Sequence, residues 1–508
     1  AATATVKFRA YDNVGNAESI ASQLVQLDTT APTAPTLSLG AGSNAFVSGS
    51  TVYFLPGAAG SFSVTASSSD AESGVSGYSF PSLGSGWSGS QSGATDTYSF
   101  NASAVDPAEP NNVTATNNAG LTSNPSSFTV TADGSAPTTS IACSGGCSGW
   151  HTTSPVTVSL TADDGSGSGV AQIKYTTDGS DPSPLNGTLY TGSFSLASTT
   201  TVKFRAYDNL GNAESVGSQL VQVDTTAPST PGLSISPGAN SSVSGSTVYF
   251  RSGAVGSFSV TASSTDPESG IASYAFPSLG SGWSGSQAGA TDTYSFTASA
   301  ADPAGPNNVT ATNGAGLDSN PTSFTVTADA TAPTSSMHCD GQPCPGGWVT
   351  SAPVSITLSA TDADSGVANV KYTTDGTDPR SSGTATVYSG AFAVAASVTV
   401  KFAATDNVGN VEGVQSKTIQ IDTTAPSAPG FSFGSFTNAW AAGSTVFFRP
   451  GASGSFAVTA SSSDAESGVS GYSFPSLGSG WTDSQAGATD TYSFSASAAD
   501  PVEPNSVT

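Results

Sequence analysis

Apolar side chains recur along this chain at every second position, in short runs. Val156, Val158 and Leu160 alternate with small polar residues, and Val202, Phe204 and Ala206 alternate with Lys203 and Arg205. The same period appears at Phe258/Val260/Ala262, Tyr294/Phe296/Ala298 and Phe324/Val326/Ala328. A period of two turns one face inward and leaves the other wet, which predicts half-buried β-strands. Turn signals such as Asp178-Gly179, Asn209-Leu210-Gly211-Asn212 and Asn313-Gly314 separate the runs. No run combines a helical period with caps. The pattern predicts an all-β chain.

The strands sit on a longer ruler. Asp-x-x-Ala-Pro begins at Asp28, Asp133, Asp224, Asp329 and Asp422, so two unit lengths alternate. A shorter type I unit occupies 136–226 and 332–424, with a remnant at 1–30. A longer type II unit occupies 31–135 and 227–331, with an incomplete copy at 425–508. The copies are close: Phe80–Phe100 and Phe276–Phe296 differ only at Ser92/Ala288. Near-identical tandem units predict a beaded array whose properties scale with unit number. About seven short strands in roughly 100 residues is the size of an immunoglobulin-like sandwich. The expected architecture is therefore a tandem series of such sandwiches in an extended array, since each linker carries a Pro that favours extended backbone.

Type I carries recognisable motifs. Tyr175-Thr-Thr-Asp-Gly-Ser-Asp-Pro182 and Thr201-Val-Lys-Phe-Arg-Ala-Tyr-Asp-Asn-Leu-Gly-Asn-Ala-Glu214 recur as Tyr372–Pro379 and Thr399–Glu412. They resemble the chitobiase/β-hexosaminidase C-terminal domain, a small immunoglobulin-like sandwich. Type II resembles the broader class of bacterial surface immunoglobulin-like repeats. The resemblance implies accessory or structural domains without catalytic residues, of the kind strung together in large bacterial surface proteins.

Composition narrows the function. At 508 residues the chain exceeds what one hydrophobic core uses, roughly 250–300 residues. Eleven Lys+Arg against 36 Asp+Glu give a net charge of −25, which repels phosphate backbones and argues against nucleic acid. No apolar run reaches the roughly 18 residues of a membrane span. The first residues, AATATVKFRA, read as the interior of a longer protein.

A repeated enzyme should repeat its reactive residues. The two histidines do not recur: Trp150-His151 corresponds to Trp348-Val349, and His338-Cys339 to Ala142-Cys143. The chain is thus expected not to be an enzyme. The four cysteines, Cys143-x3-Cys147 and Cys339-x4-Cys344, are too few and too isolated for a zinc site. They are expected to form two local disulfides, which implies an oxidising, extracellular compartment.

The carboxylates are more informative. In an immunoglobulin-like sandwich the incoming linker, the second-to-third-strand loop and the last hairpin loop share one pole. Those positions hold Asp133, Asp163, Asp164 and Asp208 in one type I unit, and Asp329, Asp362, Asp364 and Asp406 in the other. In type II they hold Asp224, Asp266 and Glu268. Turn chemistry explains any one such loop. Three converging on a pole predict calcium, a hard cation that takes six to eight oxygens. The repeated Leu-Gly-Ser-Gly-Trp loops (Trp87, Trp283, Trp481) have two readings, an exposed sugar-stacking ring or an indole folded over the sandwich end.

Together these features predict the non-catalytic shaft of an extracellular cell-surface protein: a stalk, fibre or adhesin, with self-assembly or surface and glycan contact as its interactions. The alternative is a set of carbohydrate-binding accessory modules in a secreted glycan-degrading enzyme.

Overall fold

The computed structural model describes residues 3–503 and 505–508, and every regular element among them is a β-strand. The chain divides into two compact units: residues 1–229 with 264–272 and 311–319, and residues 230–263, 273–310 and 320–508.

The first unit contains the type II sandwich at 31–135. One sheet runs Thr36–Ala41, Gly60–Ser67, Thr95–Phe100, Trp87–Ser92; the other runs Ala45–Ser48, Thr51–Phe54, Ser126–Ala132, Asn111–Asn117, Val75–Ser79. Alternation fixes which face is inside. Gly60–Ser67 buries Phe62, Val64 and Ala66 while Ser and Thr face outward. Phe54, Phe62, Tyr98 and Phe128 fill the space between the sheets, each large apolar side chain contributing about 1.5–3 kcal/mol by burial. The sandwich has more strands than the seven expected. The excess is a short hairpin turned at Gly49, whose φ of 59° disfavours any side chain. It aligns Thr51–Phe54 in parallel with Ser126–Ala132, where the hydroxyls of Thr51 and Thr129 hydrogen-bond at 2.6 Å.

The type I sandwich at 136–226 packs Thr138–Cys143, Val156–Asp163 and Phe194–Leu196 against Trp150–His151, Gly217–Val223, Thr200–Asp208, Val170–Thr176 and Thr188–Leu189. Its core includes Val156, Val158, Leu160, Val202, Phe204 and Val221, the residues the alternation singled out among them. At the N-terminus Ala4–Phe8 pairs antiparallel with Ala21–Val25, and both strands are exposed throughout.

The second unit repeats both plans. Val248, Phe250, Phe258, Val260, Tyr294, Phe296 and Phe324 form the type II core. Val354, Ile356, Leu358, Val400, Phe402 and Ile419 form the type I core. The last copy has the sheet Gly430–Thr437, Gly454–Ser461, Thr489–Phe494, Trp481–Ala486 and the hairpin Ala439–Ala442/Thr445–Phe448. In each type I sandwich, strands end at one pole on or just before acidic residues: Val156–Asp163 with Thr200–Asp208, and Val354–Thr361, followed by Asp362, with Val398–Asp406. The linker Asp that closes the preceding strand arrives at the same place.

Candidate functional site

The poles gather carboxylates in a defined geometry. One oxygen from each of Asp133, Asp164 and Asp208 lies within 4.8 Å of the other two, and the same holds for Asp329, Asp362 and Asp406. Asp133, Asp208, Asp329 and Asp406 are all buried. Backbone N–H groups hold each carboxylate. Ser168 N–H donates to Asp133 Oδ2 at 2.7 Å, Gly169 N–H to Asp164 Oδ2 at 2.7 Å, and Leu210 and Asn212 N–H to Asp208 Oδ1 at 2.9 and 2.7 Å. Asn212 Nδ2 bridges Asp208 Oδ2 at 2.6 Å and the Asp133 carbonyl at 3.1 Å. Two atoms are left over. Asp164 Oδ1 and Ser168 Oγ are shut off from solvent and make no hydrogen bond, and Ser365 Oγ repeats this at the other type I pole. Ser168 and Ser365 are 4% and 8% exposed. Burial and the negative charges of Asp133 and Asp208 push the Asp164 carboxyl above its ordinary value.

Type II poles also collect carboxylates. Asp224, Asp266 and Glu268 meet the same 4.8 Å limit, as do Asp422, Asp464 and Glu466. Here an amide stands among them. Asn313 Nδ2 donates to Asp224 Oδ2 at 2.8 Å, to the Thr226 carbonyl at 3.0 Å and to Asp266 Oδ2 at 3.2 Å. Its Oδ1 accepts from Ala315 and Leu317 N–H, which fixes which end is nitrogen. Asn117 repeats this with Asp28, the Thr30 carbonyl and Asp70 at 2.7, 3.0 and 3.2 Å. Burial pushes the Asp266 and Asp70 carboxyls up, but donors that include these amides outweigh it and hold both below the usual range.

The structure thus brings together nine of the eleven carboxylates that the sequence nominated. Asp163 stays exposed and caps Gly165 N–H at 3.1 Å, and Asp364 accepts from Thr331 Oγ1 at 3.5 Å. Neither joins its cluster, and spacing does not reveal which of two nearby loop carboxylates turns inward. Sequence reasoning missed Asp422, Asp464 and Glu466, although Asp464-Ala-Glu466 repeats Asp70-Ala-Glu72. It also missed the bridging amides.

Cys143–Cys147 and Cys339–Cys344 are disulfide-bonded as expected. The three loop tryptophans are packed inward. Trp283 lies 4.9, 5.9 and 5.2 Å from the rings of Phe250, Phe258 and Phe296, and its Nε1 donates to the Ala301 carbonyl at 2.9 Å. Trp87 and Trp481 repeat these contacts, with Nε1 donating to Val105 and Ala499. This geometry is the indole folded over the sandwich end. No helix among the described residues is long and apolar enough to cross a membrane.

Residues 148–218 and 344–416, both inside type I units, match the family model of the chitobiase/beta-hexosaminidase C-terminal domain. None of the curated proteins matches the chain. Solved structures similar to it include the I-band fragment I67–I69 of titin (12% identity, 59% of this chain, 100% of that chain, TM-score 0.28). Others are the ICAM-5 D1–D4 ectodomain fragment (10% identity, 76% and 99%, TM-score 0.28) and the fibronectin(III)-like modules of Clostridium thermocellum CbhA (18% identity, 37% and 94%, TM-score 0.21).

Proposed function

We propose that this chain is a non-catalytic structural region of an extracellular bacterial surface protein, a shaft of alternating type I and type II sandwiches with divalent cations at its poles. The observation that carries the reading is repetition of the junction itself. Each Asp-x-x-Ala-Pro linker brings its Asp to the loops of the sandwich that follows: Asp28 bonds Ser73 and Asn117, Asp133 bonds Ser168, Asp224 bonds Asn313, Asp329 bonds Ser365, and Asp422 bonds Ser467. A module that acted alone would have no use for a repeated geometry at its entrance, whereas a shaft must control every joint. Two local disulfides fit an oxidising compartment. Small-angle scattering tests the reading. A shaft gives a radius of gyration well above the about 23 Å of a compact globule of this length; a value near that figure overturns it.

A second reading, accessory carbohydrate-binding modules of a secreted glycan-degrading enzyme, is favoured by the match of both type I units to a domain named for chitobiase and β-hexosaminidase. Its test is retardation of the intact chain in gels containing chitin-derived or other soluble glycans. Mobility that no glycan changes would remove it.

A further inference from the structure

We infer that the two type I poles, Asp133/Asp164/Asp208 and Asp329/Asp362/Asp406, each bind a calcium ion, and that at type II poles the side-chain amide of Asn117 or Asn313 takes that ion's place. This deepens the reading of the poles as cation sites by saying which of them need the cation.

The two pole types are built on one turn. Asn313 Oδ1 accepts from the N–H groups two and four residues on, Ala315 and Leu317, at 3.1 and 2.8 Å. Asp208 Oδ1 does the same with Leu210 and Asn212, at 2.9 and 2.7 Å. Both residues also donate their own N–H to the carbonyl four residues on, at 3.0 and 3.1 Å. The side chains are therefore superposable, and they differ in the remaining terminal atom: nitrogen in Asn313, oxygen in Asp208. In type II that nitrogen supplies two protons among the linker and loop carboxylates. In type I an oxygen stands there, met from one side by the Asn212 or Asn410 amide at 2.6 or 2.7 Å, and among the described residues no side-chain amide reaches the loop carboxylate of Asp164 or Asp362 as Asn313 reaches Asp266. Like charges so close and so buried repel unless a cation joins them.

The leftover atoms mark where the ion belongs. Asp164 Oδ1 has no donor although it is inaccessible to solvent, and the Ser168 and Ser365 hydroxyls are buried beside the linker Asp without a partner. The corresponding type II serine, Ser269, is satisfied, bonding Asp266 and Ala315 N–H. Buried polar atoms are seldom left unpaired unless something else meets them. The two type I poles are unequal. Arg251 Nε donates to Asn410 Oδ1 at 3.2 Å, so a guanidinium already stands near the Asp329 pole. The preceding type II unit has Leu55 at that position. The Asp133 pole is the tighter site.

Equilibrium dialysis of the 508-residue chain against radioactive calcium at millimolar concentration is the test. Asp208→Asn with Asp406→Asn should lose about two equivalents relative to wild type, one per type I pole; Asn212 and Asn410, whose amides face the replaced oxygens, must turn to accommodate it, and retained far-UV circular dichroism shows that the loss is not unfolding. Asn117→Asp with Asn313→Asp should gain about two. If that variant unfolds in chelator, recovery on adding calcium supports the inference and failure to recover overturns its type II half. A wild type that binds no calcium, or Asp→Asn variants that bind as much as wild type, overturn the type I half. Calcium stoichiometry does not depend on particle length, so a compact scattering profile would remove the shaft and leave this inference standing.

Discussion

Tyr98, Tyr294 and Tyr492 are each at most 3% exposed and lie two residues after a buried aspartate, Asp96, Asp292 or Asp490. Their hydroxyls donate to the carbonyls of Pro81, Pro277 and Pro475 at 2.8, 2.8 and 2.6 Å. Burial first, and then the neighbouring carboxylate, pushes each phenol well above its ordinary value. A phenol raised in the folded state stabilises the fold fully below the unfolded value near 10. That contribution is lost as the pH climbs from there toward the folded value. Type II sandwiches should therefore lose stability above about pH 10. Ultraviolet titration of tyrosinate should show these three ionising only as their sandwiches unfold. A single transition in which all 14 tyrosines ionise together, with native circular dichroism retained, would contradict this.

At the scale of elements, the strand that carries each loop tryptophan depends on the glycine before it. Gly282 has φ +85°, and a Cβ there would come within 2.6 Å of the Ala300 backbone; Gly86 and Gly480 repeat the arrangement against Ala104 and Ala498. Gly282→Ala should destabilise its sandwich by about 1–3 kcal/mol from the strained backbone, with more from the clash. Trp283→Phe, which deletes the bond to Ala301, should cost less, about 0.5–1.5 kcal/mol. Urea titrations of the intact chain, followed by hydrogen exchange in 227–331, compare the two; a larger loss in Trp283→Phe would refute the ranking. The long strands were legible because Ser/Thr alternation with Val, Phe and Leu leaves one possible inward face. Two-residue strands such as Trp150–His151 and Thr188–Leu189 were not, since a period of two has no room to show in them. The poles were half legible for a related reason. Sequence shows that Asp163 and Asp164 lie in the loop, whereas the choice between them is made by the Gly169 N–H that captures Asp164. The importance of Asn313 was hidden because asparagine is also an ordinary turn residue.

At the scale of the whole molecule, stability should be local. The five clusters of buried apolar residues each fall within one sandwich, which is the condition under which a tandem chain behaves as a sum of unit terms and nearest-neighbour terms. The disulfides give a way to perturb some terms and spare others. They occur in type I sandwiches, and each joins cysteines only 4 or 5 residues apart. A loop that short removes little freedom from the unfolded chain, about 2 kcal/mol per bridge on the loop-entropy scale. Cys143 also packs against the type I core and Cys339 is buried within it, so the reduced thiols would keep most of their apolar contacts. Reduction should therefore weaken residues 136–226 and 332–424 by about that amount each and leave 227–331 unchanged, although the latter lies between them in sequence. Hydrogen exchange resolved by mass spectrometry, with and without reductant, distinguishes the segments within one sample. Protection lost equally across 227–331 would mean that the sandwiches unfold as one cooperative body, and the additive description of the chain would have to be given up.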